Sequence, residues 1–402
     1  MKKIVFLILL FGVTSSLSAV TIRGNFTSDL YLWEDSTQNH IRPYESLRGS
    51  ALLWQGAKKQ SISFKSNLRW TTDLSDKFAS DPQLFVYETN LKFSNLPNNY
   101  NFTLGRQFVY NSAGSRLIDG LRVNYLYNNY QGEVFVGADV DRFDPETIQS
   151  FSKDLVLGFN ARRMFNKKIL FMEKLMLGTS ALGIWDNDIY VFKKVAFDAR
   201  FNLATTRVYL KTSYDMLNNK PSELLGRISQ NSNNWYYSLE FRHRQPSLSN
   251  NSVFSIIDYK NYNQFRLELN RRLSSTYTLI SGLNYTIYNN DNNLDLQLGL
   301  SQKLFTVSFY HQVGYGGERN GLSGFARYSL PSNFELFGSA NLNRYKVQDE
   351  SEDIIDAYST QIGLIKKLSG DWQLRAEWQL LNNAVNDYDS RFHFRINKGF
   401  SF

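Results

Sequence analysis

Residues 294–301 read Leu-Asp-Leu-Gln-Leu-Gly-Leu-Ser, so leucine alternates with polar or small side chains. The same period of two recurs in residues 62–70, 235–244 and 372–380, where apolar side chains alternate with polar and charged ones. Successive side chains of a β-strand point to opposite faces of a sheet, so this period indicates strands with one apolar face. The sequence therefore predicts an all-β fold.

Turn signals separate these alternating segments along the whole chain. Asparagine tolerates the positive φ of tight turns, and asparagine pairs fall between the segments at 98–99, 128–129, 218–219, 233–234, 289–290 and 382–383. All seven prolines fall in or beside the connections, as expected for a residue that cannot donate a hydrogen bond to a ladder. Counting from residue 20 gives 22 strands, within an expected even number of about 18–22.

The connections between the predicted strands are alternately short and long, as in membrane barrels whose short turns face the periplasm. Tight turns are expected near 56–59, 95–99, 128–131, 165–168, 202–205, 230–234, 272–275, 302–304, 331–333 and 368–370. Longer loops are expected near 35–42, 73–82, 109–118, 142–152, 215–221, 245–259, 347–352 and 384–388. Both chain ends are therefore placed on the side of the short turns.

Composition favours a membrane barrel over a soluble β-sandwich, which would show the same alternation. Aromatic residues make up 15% of the chain, with 30 Phe, 24 Tyr and 7 Trp, which suits the aromatic girdles of membrane barrels. No linker or composition shift divides residues 20–402, although soluble domains usually stop growing at about 250–300 residues. Residues 20–402 are therefore predicted to form one transmembrane, antiparallel, up-and-down β-barrel.

The first 19 residues have the features of a secretory signal peptide. Lys2 and Lys3 precede the apolar run 4–13, which is too short to span a bilayer comfortably as a helix. Small and polar residues follow, and cleavage is expected after Ser18 or Ala19. The first predicted strand begins almost at that point, so no residues are expected to remain for an N-terminal plug.

The last residues resemble the C-terminal insertion signal of bacterial outer-membrane proteins. Phe394, Ile396, Phe400 and Phe402 share one phase, which Lys398 interrupts. The resemblance implies an outer-membrane location in a Gram-negative-type envelope. It also implies contact with outer-membrane lipid and handling by the barrel-assembly machinery during insertion.

The composition argues against several classes of function. There are no cysteines, which excludes thiolate catalysis, disulfides and cysteine-based metal sites. The net charge of +8 is well mixed, without the run of like charges that binds nucleic acid. No metal-ligand spacing or phosphate-binding loop is evident, so neither a metal nor another cofactor is expected.

Histidines are few and lie in unrelated segments, at His40, His243, His311 and His393. The segment around His311 faintly resembles the His–Ser segment of the outer-membrane phospholipase, but Val313 occupies the position of the serine. His311 shares its phase with Phe309, which favours a side chain at the membrane interface over a catalytic base. The chain is therefore not expected to be an enzyme.

Residues 103–125 contain Gly-Arg-Gln, a connection, and then Asp-Gly-Leu-Arg. This segment resembles a hairpin of alginate-export-type barrels and related porin-like channels, and its matching residues are Gly105, Arg106, Gln107, Asp119, Gly120 and Arg122. The match covers a small part of the chain and implies no particular substrate.

Arg106 and Asp119 are expected to face each other across this hairpin and to form an ion pair. Strict alternation places both on the apolar phase with Leu104 and Leu121. A bulge at either neighbouring glycine would turn the pair inward. A structural clasp is favoured over a role in transport, because ion pairs more often fix geometry than carry function.

Charged residues on the polar phase are expected to line the lumen of the barrel. The basic candidates are Lys65, Arg69, Arg122, Arg162, Arg207, Lys211, Arg242, Arg244, Arg266, Arg375, Arg391 and Arg395. The acidic candidates are Glu88, Glu133, Asp139, Asp154, Asp215, Glu240, Glu268, Asp295 and Glu377. Rings of arginine and lysine favour anions, so a weak anion preference is predicted. Mixed charges that merely keep the wall wetted remain an equal alternative.

The sequence predicts a porin-like channel that passes small polar solutes by diffusion. One alternative is a structural sleeve that houses a periplasmic partner, as in electron-conducting barrels. An outer-membrane hydrolase is a weaker alternative because no base–nucleophile pair is evident. A homo-oligomer is possible for such a barrel, but no segment indicates its contact surface.

Overall fold

The structure is a computed structural model that describes residues 21–34, 39–57, 59–75, 83–96, 99–141, 146–147, 151, 153–187, 189–245, 261–315, 317–346, 354–382 and 388–402. The predicted signal peptide and most of the predicted 245–259 loop lie outside these ranges. In the described part of the chain, no helix is long and apolar enough to cross a bilayer.

The alternating segments form 22 antiparallel strands in one sheet. They are β1 Thr21–Glu34, β2 Asn39–Gln55, β3 Ser61–Thr71, β4 Gln83–Leu96, β5 Tyr100–Asn111, β6 Gly114–Tyr127, β7 Tyr130–Asp139, β8 Leu155–Met164, β9 Glu173–Asp186, β10 Ile189–Leu203, β11 Thr206–Asp215, β12 Lys220–Ser232, β13 Trp235–Arg244, β14 Tyr262–Arg272, β15 Thr278–Ile287, β16 Asn292–Ser301, β17 Phe305–Gly314, β18 Arg319–Leu330, β19 Phe334–Tyr345, β20 Ile355–Lys367, β21 Trp372–Asn382 and β22 Asp389–Ser401.

Each strand pairs with its neighbours in sequence, and β22 pairs with β1, so the sheet closes into a barrel. The closing ladder runs from Arg23, opposite Ser401, to Trp33, opposite Arg391. Ile22 and Phe402 extend it by exchanging two backbone hydrogen bonds of 3.1 and 2.9 Å. The all-β barrel and the count of 22 strands predicted from the sequence are confirmed.

The registers keep one phase apolar from strand to strand. Leu298 lies opposite Phe309, which lies opposite Leu322, which lies opposite Leu342. These four side chains are between 45% and 57% exposed. The neighbouring row on the other phase is small and polar and consists of Gly299, Ser308, Ser323 and Asn341. The apolar phase faces outward, and the polar phase lines the lumen.

The two rims of the barrel differ in their connections. The terminal rim, which carries both described chain ends, has two-residue turns at 128–129, 204–205 and 233–234. Asn128, Ala204 and Asn233 adopt positive φ there, between 50° and 52°, as tight two-residue turns require. The opposite rim, called the far rim, carries the longer connections, including 245–261. Most long connections therefore lie at the far rim, as predicted, but the connection 165–172 at the terminal rim is eight residues long, where the sequence predicts a tight turn near 165–168.

The prediction of a long loop at 109–118 is wrong. β5 and β6 continue through this segment and are joined by a two-residue turn at Ser112 and Ala113. Asn111 stabilises the turn because its Oδ1 accepts hydrogen bonds from the backbone N–H groups of Ala113 and Gly114, at 2.9 and 3.1 Å. The side chain of asparagine thus replaces a backbone acceptor in the tight turn.

Cations stack on aromatic rings around the terminal rim, on the outward phase. The stacked pairs are Arg163 on Tyr130 at 5.0 Å, Arg271 on Trp235 at 4.9 Å, Lys366 on Phe334 at 3.9 Å and Lys398 on Trp372 at 5.2 Å. Lys398, which interrupts the C-terminal apolar pattern, also donates to the carbonyl of Gly370. Aromatic rings with a polar or charged partner are typical of a membrane–water interface.

A cation on the outward phase is expected to destabilise the barrel far more than a cation on the lumen phase. Leu298→Arg places a charge on the apolar surface, so we expect the free energy of unfolding to fall by about 2–4 kcal/mol. Gln297→Arg changes the adjacent lumen position and should shift it by only about 0.5 kcal/mol. Urea unfolding of barrels folded into lipid vesicles measures both variants, and equal losses would contradict the assignment of the two phases.

Candidate functional site in the barrel lumen

One hairpin leaves the wall of the barrel about halfway between the rims. The ladder between β4 and β5 ends where Thr89 lies opposite Arg106, and the ladder between β6 and β7 ends where Ile118 lies opposite Asp139. β5 and β6 nevertheless stay paired with each other as far as Asn111 and Gly114. Residues 107–118, called here the inward hairpin, therefore reach the end of their ladder with β7 and lie beyond their ladder with β4.

Two glycines form the hinge at which the hairpin turns away from the wall. Gly105 adopts φ +114°, and a Cβ atom there would lie 2.4 Å from the carbonyl oxygen of Thr89. A Cβ atom at Gly120 would lie 2.1 Å from the carbonyl oxygen of Val136. Since real Cβ atoms do not approach a carbonyl this closely, only glycine fits either position.

The tip of the hairpin packs against the lumen face of β7–β10. Val109 and Ile118 are fully buried, and Ala113 is 3% exposed. These residues pack in one apolar cluster with lumen-phase and adjoining side chains of the wall, namely Phe135, Val156, Leu182, Ile184, Val191, Phe192 and Ala196. Burial of a large aliphatic side chain contributes roughly 1.5–3 kcal/mol, so the cluster fixes the hairpin inside the lumen.

Hydrogen bonds at the tip also hold the hairpin against the wall. Ser112 Oγ donates to Asp198 Oδ1 of β10 at 2.6 Å, although β10 lies four strands away from β6. Asn111 Nδ2 donates to the carbonyls of Phe159 and Ala181 at 3.1 and 3.0 Å. The hairpin therefore spans several strands across the concave side of the wall. The opposite face of the hairpin carries Phe108 and Tyr110, which are 59% and 67% exposed and point away from the wall of the barrel.

Arg106 and Asp119 form a two-pronged ion pair at the hinge. Arg106 Nε donates to Asp119 Oδ1 at 2.8 Å, and Nη2 donates to Oδ2 at 2.6 Å. The guanidinium also donates to the carbonyls of Val86 in β4 and Thr147 in the β7–β8 connection, at 3.3 and 3.2 Å. Backbone groups that would otherwise face a gap in the wall thus gain partners.

The pair stays on the outward phase, because no register shift separates β5 from β6. The bulge considered from the sequence does not occur in this ladder. Arg106 is 5% exposed and the Asp119 side chain is 13% exposed, so both charges are removed from water. Removing one member of such a pair leaves an uncompensated buried charge.

The twelve basic residues predicted for the lumen all lie on the polar phase of their strands, by the registers of the ladders. Sequence analysis left out further cations that the same registers place there, namely Arg48, Lys92, Lys194, Arg200 and Arg227. Four of them lie between apolar residues or glycine, and Lys194 lies between Lys193 and Val195. The alternation of faces along each strand was therefore the signal that could have found them.

Most lumen cations of two sectors are neutralised by neighbouring carboxylates. In β11–β13, Lys211 pairs with Glu223 at 2.6 Å, and Arg242 pairs with Glu240 at 3.3 Å. Arg227 also pairs with Glu240. In the sector where the barrel closes, the pairs are Arg375 with Glu377, Arg391 with Asp389 and Arg395 with Asp29, each at 2.5 Å. The charges of these six cations are therefore compensated locally, whereas Arg207 and Arg244 of β11–β13 are in none of these pairs.

A third sector, below the hinge on β3–β8, carries cations without close carboxylate partners. Lys65, Lys92, Arg122 and Arg162 form this cationic patch. Lys92 and Arg122 both lie opposite Thr103, and Lys65 lies opposite Asn90, two residues from Lys92 on the same face of β4. Among the described residues, none of the four is in an ion pair within 4.0 Å. Glu133 lies on the same face, opposite Asn124 of β6 and Asn160 of β8, and so two residues along each strand from Arg122 and Arg162.

The histidines do not assemble a catalytic site in the described part of the chain. His393 Nε2 lies 2.7 Å from Asp29 Oδ1, and its Nδ1 lies 3.1 Å from Glu377 Oε1. Both ring nitrogens therefore contact carboxylates instead of a nucleophilic hydroxyl. His311 lies on the outward phase and contacts Asn320. Across the described ranges, no group of three His, Asp or Glu side chains is arranged to hold a metal ion.

No protein-family model matches the chain, and no curated protein is similar to it in sequence. Its strand arrangement is similar to that of OccAB4 from Acinetobacter baumannii, at 8% identity and a TM-score of 0.48 over 97% of this chain and 100% of that chain. The P pilus usher (PapC) translocation pore gives 8% identity and a TM-score of 0.48 over 95% and 99%.

A BenF-like porin from Pseudomonas fluorescens gives 8% identity and a TM-score of 0.46 over 96% of this chain and 100% of that chain. At these identities and scores the similarities assign neither a substrate nor a role to this chain. The class to which it belongs, the closed 22-stranded antiparallel β-barrel, rests on its own strand pairing. The proposed likeness to alginate-export-type barrels stays a resemblance of one hairpin.

Asp119→Asn is expected to loosen the hinge. The change leaves the Arg106 charge buried without its partner, so we expect the free energy of unfolding to fall by about 3 kcal/mol. The matched control is Asp356→Asn, which breaks the Arg344–Asp356 pair on the outward phase. Both members of that pair are 66% exposed, so no measurable change is expected. Urea unfolding in vesicles compares the two variants, and an unchanged Asp119→Asn barrel would rule out the clasp.

Proposed function

We propose that this protein is an outer-membrane channel through which small polar solutes diffuse, and that the inward hairpin sets the width of its pore. The observation that carries the proposal is the hairpin, which is docked on the lumen wall halfway between the rims. A barrel of 22 strands encloses a wide space, so its permeability depends on what the lumen contains.

Placement in the outer membrane is supported by the surface of the barrel. The outward phase is apolar on strand after strand, and stacked cations and aromatic rings surround the terminal rim. We infer that the terminal rim faces the periplasm and the far rim faces outward, because short turns lie on the periplasmic side of such barrels. The expected export by a signal peptide over residues 1–19 fits this orientation.

We infer a weak anion preference from the distribution of charge. The cationic patch lies next to the hinge, where the hairpin narrows the lumen, and its charges are not neutralised by ion pairs. In the other two sectors most of the lumen cations are in ion pairs. Unpaired cations near a narrow part of a pore favour the entry of anions. The patch also gives a solute a polar path past the exposed rings of Phe108 and Tyr110.

A sleeve around a periplasmic partner is less well supported, because the hairpin already occupies part of the space that a partner would need. A hydrolase is disfavoured since the described His393 contacts carboxylates at both ring nitrogens. Oligomeric state and handling by the assembly machinery remain expectations from the sequence.

Planar-bilayer recordings of the refolded mature chain test the channel. We expect steady conductance steps, and under a salt gradient a reversal potential of the sign that indicates a mild anion preference. Heat-modifiability on gels is the control for correct folding. A folded barrel without conductance steps would contradict the proposal and point to a lumen partner.

Lys92→Gln is expected to reduce the anion-to-cation permeability ratio roughly twofold, because it removes an unpaired charge beside the narrow region. The control is Arg227→Gln, which also removes one lumen charge. The carboxylate of Glu240 then still pairs with Arg242 at 3.3 Å, so the electrostatic potential of the lumen should change less than in Lys92→Gln. Reversal potentials of the two variants provide the comparison. An equal shift in both would show that net lumen charge, and not the cationic patch, determines selectivity.

A further inference from the structure

An apolar groove crosses the outer surface of β7–β9 close to the terminal rim. Its floor is a row of small residues, in which Gly132 lies opposite Ala161 and Ala161 lies opposite Thr179. Tyr125 and Phe197 continue the same row on either side and form the walls. The groove has a volume of about 480 Å³, which is within the range of sites that bind small molecules.

The groove has a cation at its terminal-rim end. Arg163 lies on the outward phase at the end of β8, with its guanidinium 5.0 Å from the ring of Tyr130 and 4.6 Å from the ring of Phe165. Among the described residues, no carboxylate pairs with Arg163. Lys167 is exposed in the adjoining connection, whereas Lys168 is paired with Glu173 at 3.4 Å. The open end of the groove is therefore electropositive.

An apolar tip projects from the rim beside this cation. Ile169 and Met172 exchange backbone hydrogen bonds of 3.0 and 2.9 Å, and the two residues between them form the tip. Leu170 is 79% exposed and Phe171 is 64% exposed. Large apolar side chains at the rim of a membrane protein are stable where they enter the lipid interface. The tip thus indicates that this edge of the barrel contacts lipid headgroups.

We propose that the groove binds one diacyl glycerophospholipid of the leaflet at the terminal rim. One acyl chain lies along Gly132, Ala161 and Thr179, and the phosphodiester accepts hydrogen bonds from Arg163, with Lys167 adding positive charge. The inference rests on the membrane placement proposed above, but not on conductance. It extends that proposal by assigning a lipid site that the channel activity does not require.

Charge favours a lipid over a second copy of the chain as the occupant. A two-fold interface brings the same surface of each copy together. A dimer across this groove would therefore bring two Arg163 side chains to one apolar seam without a described carboxylate to neutralise them. A phospholipid supplies both the apolar chain and the negative charge that the groove lacks.

Native mass spectrometry of the refolded full chain in detergent, titrated with phosphatidylglycerol, tests the headgroup contact. We expect one tightly bound lipid per chain and weaker binding of uncharged diacylglycerol. Arg163→Gln should weaken phosphatidylglycerol binding about tenfold, since it removes a charge-assisted contact to phosphate. Arg271→Gln, which changes the stacked cation on Trp235 outside the groove, is the matched control and should bind as the unchanged chain does.

A second pair of variants tests the groove itself. A Cβ atom at Gly132 would meet no atom closer than Tyr125 Cβ at 4.0 Å, so Gly132→Leu should fill the groove without strain and abolish tight binding. Gly324→Leu, also on the outward phase with no atom within 4 Å, is the control and should leave binding unchanged.

Three outcomes would overturn the assignment. A heat-modifiable, membrane-inserted barrel that retains no phosphatidylglycerol would do so, and so would unchanged binding in both Arg163→Gln and Gly132→Leu. A dimer in the unchanged chain that Gly132→Leu dissociates would assign the groove to a second copy. Loss of conductance with intact lipid binding would contradict only the proposed channel.

Discussion

The pairing of every backbone N–H and C=O group is the constraint on which this structure depends. A sheet can meet it without water only by closing, and here β22 returns to β1 along a continuous ladder. Closure fixes an even number of strands when both ends lie at one rim, and it leaves no exposed edge. It also fixes the phase of every side chain, because one residue of slippage in any ladder would exchange the lipid and lumen faces.

The inward hairpin is a local exception to this rule, and its neighbours compensate for it. Where β5 and β6 leave the wall, β4 loses its ladder with β5 beyond Thr89, and the ladder between β6 and β7 ends at Asp139, the last residue of β7. The guanidinium of Arg106 satisfies the carbonyls of Val86 and Thr147, and Glu146 accepts from the N–H of Leu84 at 3.0 Å. The buried ion pair with Asp119 therefore holds both the hairpin and the edges of the gap. The ion pair that anchors the hairpin in the lumen thus also stabilises the wall.

Alternation made the barrel, its strand number and the lumen phase of the basic residues predictable from the sequence. The inward hairpin was not predictable in this way, because residues 107–118 do not alternate regularly and the sequence predicts a long loop at 109–118. Nothing local in the sequence marks the loss of ladder partners in β4. Gly105 and Gly120 were recognised as a motif, but their role follows from close approaches to Thr89 and Val136, which are contacts distant in sequence. Lys92 was overlooked although its parity was readable.

The single-channel conductance of a shortened variant tests the central claim most directly. Replacing residues 107–118 with Asn-Gly, a favoured two-residue hairpin turn, keeps Arg106 and Asp119 adjacent and removes only the segment inside the lumen. If the hairpin sets the width of the pore, the variant will fold, remain heat-modifiable and conduct several-fold more current per step than the unchanged chain. Equal conductance in the two barrels would contradict the account and place the narrowest part of the pore elsewhere.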